Sequence, residues 1–211
     1  MKIGILPSIN DNQVALNLRY LEYAQQFGEP IIITLNKQVD EIDWLWASGG
    51  ADVDPTMFGY DNYASAKVQR TMDKFQSACI DLAVARHIPI FGICRGFQLL
   101  AYKFIVGGDV YISQHIAGHN QMDLSLHRDD KFHSVRERGG ALMFVNSMHH
   151  QGLVVPSTAL KAEEWITHYT HHKKGELLVE GFDFIQDGTR IQGVQWHPEE
   201  LMEEYPFERP V

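Results

Sequence analysis

The run Pro89-Ile90-Phe91-Gly92-Ile93-Cys94-Arg95-Gly96 sets an apolar stretch of strand type directly against a helical period that resumes at Phe97 and closes at Gly107-Gly108. A strand that turns into a helix with a glycine on either side of one central residue exposes that residue at the apex of a sharp bend, where the two glycines relieve the crowding. Cys94 occupies the apex. Such an elbow belongs at the carboxyl edge of a sheet. The preceding segments agree, because Lys2–Leu6, Ile31–Thr34 and Ile42–Ala47 are short apolar runs that alternate with helix-period stretches at Val14–Phe27 and Met72–Arg86. The pattern predicts an α/β fold with a mostly parallel sheet, helices on both faces, and ligands beyond the strands' carboxyl ends. The β-branched run Ile31–Thr34 reads as a strand buried on both faces. Trp165–Thr170, Leu177–Phe184 and Ile191–Trp196 read as later strands that include an antiparallel extension, and the polar stretch Tyr111–Gly140 reads as loops and short strands.

The chain of 211 residues fits one compact domain over residues 1–211, with 45% hydrophobic and 21% charged residues. No apolar run reaches the roughly 18 residues that span a bilayer, and the start lacks the apolar length of a signal peptide, so a cytoplasmic protein without membrane association is expected. A formal charge of −9 would repel a phosphate backbone, which argues against nucleic acid as a partner. Two cysteines, Cys79 and Cys94, make neither a disulfide framework nor a cysteine-rich zinc site. Cys79 falls on the apolar side of a helical period and reads as core. The eleven histidines include His115/His119 and His168/His172 at i, i+4 spacing, but no carboxylate or cysteine cluster accompanies them in a ligand pattern. No metal and no cofactor are expected.

At the start of a helix, Cys94 would face free backbone N–H groups and the positive end of the dipole, which favours thiolate over thiol. The competing reading is a buried structural cysteine in a tight turn. A thiolate that works by acyl transfer needs a base or proton donor and a group that orients it. Gln195-Trp196-His197-Pro198-Glu199 offers both: Pro198 biases His197 toward extended backbone, in which residues two apart project to the same side, so Glu199 can reach the ring. A solvated acidic chain segment is the alternative there. Gly49-Gly50 in the turn-rich stretch Ser48–Pro55 can bring one backbone N–H close to a substrate, and the N–H of Arg95 supplies a second, which together would form an oxyanion hole; an ordinary turn is the bland reading.

These motifs, together with Gln98-Leu99-Leu100, Gly49–Pro55 and Val145-Asn146-Ser147-Met148-His149-His150-Gln151, resemble the class I glutamine amidotransferase superfamily, and within it the γ-glutamyl-γ-aminobutyrate hydrolase branch. The resemblance runs from about residue 45 to 200. It implies a flavodoxin-like three-layer fold and a Cys94–His197–Glu199 triad, with Gly50 and Arg95 lining the oxyanion hole. It also implies that Gln98, Asn146, Ser147 and His149 help hold a γ-glutamyl group. The activity implied is hydrolysis of a small γ-glutamyl amide through a γ-glutamyl thioester that releases glutamate. The alternative is a glutaminase subunit that passes ammonia from glutamine to a separate synthetase; a binding protein without activity is the third reading. A homodimer and a synthetase partner both stay open. Where this family often has an Asp-x-x-Glu pattern before the elbow, this chain has Asp73 followed by Gln76, a departure that bears on leaving-group recognition.

Overall fold

The structure is a computed structural model, which describes residues 1–10, 13–116, 132–136, 142–158, 171–173, 175–202, 206–207 and 209. The chain opens with β1 (Lys2–Leu6), followed by a small antiparallel ribbon of β2 (Ser8–Asn10) and β3 (Gln13–Ala15), and then α1 (Leu18–Gln25). Strands β4 (Glu29–Ile32) and β5 (Trp44–Ala47), helix α2 (Arg70–Ala85), strand β6 (Ile90–Ile93) and helix α3 (Arg95–Phe104) complete the first half. The second half adds β7 (Tyr111–Ser113), β8 (Phe132–Arg136), β9 (Leu142–Asn146), β10 (Gly152–Pro156), β11 (His171–Lys173), β12 (Glu176–Val179), β13 (Gly181–Gln186), β14 (Thr189–Val194) and the short α4 (Pro198–Leu201).

The central sheet has the order β13-β14-β6-β5-β1-β4 and is parallel except for the edge strand β13, which runs antiparallel to β14. The mostly parallel α/β architecture expected from the alternating runs is therefore present. A second, antiparallel sheet has the order β11-β12-β10-β7, and β8 pairs with β9.

Alternation along the strands explains why helices cover both faces. On β5, Trp44 and Trp46 join Ile3, Ile5, Phe91 and Ile93 in a cluster with Tyr20, Tyr23 and Ala24 of α1 and with Val135 and Val145 of β8 and β9. Leu45 and Ala47 point the other way, into a cluster with Ile90, with Cys79 and Ile80 of α2, and with Leu99 and Leu100 of α3. Leu153, Val155, Leu177 and Val179 of the second sheet join that same cluster.

Three expectations change. Helix α1 begins only at Leu18, because the Asn17 side chain accepts the Arg19 N–H at 3.0 Å and caps it, leaving Gln13–Ala15 to pair with β2. The run around Ile31 forms β4 at the outer edge of the sheet, so Ile31 is only partly covered and Ile32 is exposed, while Ile33 just beyond the strand is buried. The stretch Leu177–Phe184 is two strands, since the chain passes at buried Glu180 from the second sheet into the central one. Trp165–Thr170, His119 and His168 lie outside the described residues. Among the described residues no helix is long and apolar enough to cross a membrane.

Candidate active site

Strands β1, β5, β6 and β14 all end at one edge of the central sheet, at Leu6, Ala47, Ile93 and Val194. The segments leaving them are Pro7-Ser8, Ser48-Gly49-Gly50, Cys94 and Gln195–Glu199. Parallel register thus brings residues from four distant parts of the chain together, as expected for an open α/β sheet.

Cys94 takes φ 52° and ψ −104°, a conformation that a side chain rarely adopts and that costs on the order of 1–3 kcal/mol. Hydrogen bonds hold it there: its N–H donates to Val194 at 2.8 Å and its carbonyl accepts from Gln98 N at 3.1 Å. The flanking glycines are required by contact. A Cβ on Gly96 would sit 2.0 Å from the Ala47 carbonyl oxygen, and one on Gly92 would sit 2.7 Å from the main chain of Gly96 and Phe97. Helix α3 is pressed against β5 with no room for a methyl group, and Cys94 stands at its first turn, where N–H groups lack intrahelical partners.

The Arg95 side chain turns away from this apex into a buried network. It donates from Nη1 to Gln76 Oε1 and from Nη2 to Asp73 Oδ1. Gln76 Nε2 in turn donates to the Pro7 carbonyl at 2.7 Å, and Asp73 Oδ2 accepts the Asp54 N–H at 3.0 Å. The departure at Gln76 has a local reason: a carboxylate could accept from Arg95 but could not donate to Pro7.

His197 faces the elbow from the segment beyond β14, which is not extended through Glu199 as expected: Pro198 starts α4, with His197 as its N-cap and Glu199 in its first turn. The His197 Nδ1 lies 2.7 Å from Glu199 Oε1, and both residues are largely enclosed. A Cβ on Gly49 would meet His197 Cε1 at 2.9 Å and Cys94 Cβ at 3.5 Å, so the ring, the cysteine and the glycine loop share one small volume. Burial works against the imidazolium. The charges of Cys94 and Glu199 and hydrogen bonds to both outweigh it, so His197 titrates well above the ordinary histidine range. By contrast, burial alone pushes the Cys79 thiol up to about 12, in keeping with a core residue.

Two residues that hold this arrangement carried no signal of that role in the sequence. Asn146 at the end of β9 clamps the main chain of His197: its Oδ1 accepts the His197 N–H at 2.8 Å and its Nδ2 donates to the His197 carbonyl at 2.7 Å. The resemblance had assigned Asn146 to substrate, whereas its amide is taken up by His197. Tyr20 of α1 is the second. Its hydroxyl accepts the Gly49 N–H at 2.9 Å and lies 3.4 Å from His197 Nδ1, and burial together with the charges of Glu199 and Cys94 holds its pKa well above 10. Its helical spacing marked it only as part of an apolar face.

The other residues assigned to substrate are buried polar side chains. Gln98 Nε2 donates to Gln195 Oε1 at 3.1 Å and to the Gln151 carbonyl at 3.3 Å. His149 Nδ1 donates to the Gln151 carbonyl at 2.7 Å, and its Nε2 lies 3.6 Å from Glu180. Ser147 is buried beside them. In the loop beyond Tyr60, Gln114 Oε1 gathers the N–H groups of Tyr63, Ala64 and Ser65 at 3.0 to 3.2 Å. Among the described residues no group of three or more His, Cys, Asp or Glu side chains is arranged to hold a metal.

A cleft of about 510 Å³ opens beside His197, lined on one side by the β2–β3 ribbon and on the other by Gly49, Gly50, Glu199 and Glu200. The chain is 31% identical over 196 residues to the γ-glutamyl-γ-aminobutyrate hydrolase PuuD of Escherichia coli K12, covering 83% of this chain and 71% of that protein. It is 29% identical over 197 residues to protein NtpR of Enterococcus hirae, covering 83% of this chain and 77% of that one. A glutamine amidotransferase structure from Thermotoga maritima superposes with a TM-score of 0.57 at 13% identity, over 94% of this chain and 76% of that chain, which shows a shared fold. With the peptidase C26 family pattern matching residues 9–199, the chain belongs to the peptidase C26 family.

Proposed function

We propose that this protein is a cysteine-dependent hydrolase that cleaves the γ-glutamyl amide bond of a small γ-glutamyl compound and releases glutamate. The observation that carries the reading is the meeting of Cys94, on its strained elbow, with a largely enclosed His197 against which Glu199 is hydrogen-bonded. The Cys94 sulfur attacks the γ-carbonyl carbon, and the oxygen gains a negative charge that the backbone N–H groups of Gly50 and Arg95 receive. As the C–N bond breaks, the His197 imidazolium gives its proton to the departing amine, leaving a γ-glutamyl thioester. Water then loses a proton to neutral His197, attacks the thioester, and frees glutamate and the cysteine. Every group in this route comes from the chain itself. The sequence of the PuuD relative, named for a γ-glutamyl amide hydrolase, supports the substrate class.

The test is glutamate release by the purified protein from a panel of γ-glutamyl amines and free glutamine, with Cys94→Ala as control. Release from the amines, abolished in Cys94→Ala, is the expected result. Glutamate from glutamine alone, and only with a partner protein added, would replace this reading with that of an ammonia-supplying subunit.

A further inference from the structure

The cleft beside His197 lies where the departing half of a substrate must go, because His197 delivers the proton to the leaving nitrogen. Its walls have a definite polarity. The Ser8 hydroxyl donates to the Ala15 carbonyl at 3.1 Å and the Ser48 hydroxyl to the Leu6 carbonyl at 2.7 Å, so the proton of each is engaged and only lone pairs are left to offer. Asn17 Nδ2 donates to Glu200 Oε1 at 3.2 Å. Glu199 lines the same wall, and its Oε2 is buried with no hydrogen-bond partner among the described residues. Among the described residues that line the cleft there is no lysine or arginine, and the whole stretch from Ser8 to Asn17 contains neither. When His197 carries its proton, the Cys94 sulfur matches that charge and the carboxylates of Glu199 and Glu200 are left in excess. An incoming carboxylate would meet acceptors and a negative wall; an ammonium would meet partners.

Resting on the hydrolase reading, we propose that the cleft formed by the β2–β3 ribbon and Glu200 selects a leaving amine that carries a second, positively charged amine, so that the preferred substrates are γ-glutamyl diamines or polyamines and not γ-glutamyl amino acids. Glu200 is the specificity-determining side chain. It is partly exposed and lines the cleft one residue beyond Glu199, held there by the Asn17 amide.

Three γ-glutamyl amides of matched chain length decide the matter, with the distal end an ammonium, a methyl group or a carboxylate. The expected order of kcat/KM is ammonium, methyl, carboxylate, with about tenfold or more between the extremes. Added salt should compress that spread, since the interaction is partly screened, and Glu200→Gln should compress it chiefly by slowing the ammonium substrate. Faster cleavage of the carboxylate substrate, or a spread that neither salt nor Glu200→Gln alters, overturns the proposal. Cleavage of the methyl-ended amide keeps the two readings apart: if it is cleaved while the carboxylate form is preferred, the hydrolase stands and the charge selection falls. If none of the three is cleaved, both fall.

Discussion

The two halves of the site are built in opposite ways. On the cysteine side the apex is shaped chiefly by the backbone: missing side chains at Gly92 and Gly96 let α3 press onto Ala47, and main-chain hydrogen bonds to Val194 and from Gln98 hold Cys94 in place. On the histidine side the ring is held by Glu199 two residues away, by Asn146 from β9 and by Tyr20 from α1. One half is made by local crowding and tolerates no added atom. The other is made by hydrogen bonds across the fold, and each can be removed singly at a graded cost. Perturbing the first half should therefore appear as lost stability, and perturbing the second as lost turnover in a folded protein.

The largest effect on the histidine side is expected from Glu199→Gln. Without the carboxylate the imidazolium loses both a charge and a hydrogen-bond partner, and kcat should fall by about 10²- to 10⁴-fold, the range of general acid–base contributions. The pH dependence gives the sign. His197 is raised in the folded state, so the wild type should hold activity into the alkaline range and lose it as His197 deprotonates; in Glu199→Gln that limb should move toward lower pH. The same linkage governs stability. The raised pKa contributes stability that is fully present below the ordinary histidine value of about 6.5 and is lost as pH rises through the folded value. Denaturant midpoints of the variant should thus trail the wild type most near pH 6 and least at alkaline pH; a deficit that grows with pH would contradict the assigned partners.

On the cysteine side, Gly96→Ala places a methyl group 2.0 Å from a main-chain oxygen that cannot rotate away. Urea melts should show a loss of about 3 kcal/mol, at the upper end of ordinary overpacking. Gly107→Ala is the comparison, since a Cβ there meets nothing within 4 Å, and it should stay within about 0.5 kcal/mol of wild type. Asn146→Ala ranks next. Two hydrogen bonds to the His197 main chain, each contributing about 1 kcal/mol, convert to a roughly 10- to 100-fold loss of kcat with little change in KM. A rise in KM with kcat preserved would return Asn146 to the substrate-binding role that the resemblance implied.

The same division explains what could be read from the sequence. The elbow was legible because its cause is confined to five residues and two glycines flank one cysteine. The parallel sheet was legible because Trp44–Ala47 and Ile90–Ile93 are apolar on both alternating faces. The pairing of His197 with Glu199 followed from their closeness in sequence but not for the expected reason: the segment is not extended, and Pro198 opens α4 so that its first turn brings Glu199 to the ring. Asn17 was not recognised as a cap, because the apolar spacing of Leu16, Tyr20 and Tyr23 continues through it and the ribbon that competes for Gln13–Ala15 is closed by a partner strand. The break at Glu180 was hidden for a related reason: Leu177–Phe184 is continuously strand-like, and only the choice between two sheets divides it. The contacts of Asn146 and Tyr20 with His197 could not be read, since the two stand 51 and 177 positions away from it.

Tyr20→Phe should have the smallest effect and the most to say about how the two halves communicate. The hydroxyl touches both the Gly49 N–H and His197, so its removal loosens the glycine loop and the ring at once. One hydrogen bond of about 1 kcal/mol corresponds to a roughly fivefold fall in kcat/KM. Since the Tyr20 pKa lies well above 10, the hydroxyl keeps its proton through the assay range, and any change in the profile there belongs to His197. Alkylation of Cys94 by iodoacetamide separates the two routes, because displacement at a saturated carbon develops no oxyanion while it still depends on the state of the sulfur and its histidine partner. Hydrolysis slowed with alkylation unchanged would place the contribution of Tyr20 in the Gly49–Gly50 loop. Equal losses in both would place it in the histidine, and the cysteine side would then be independent of α1.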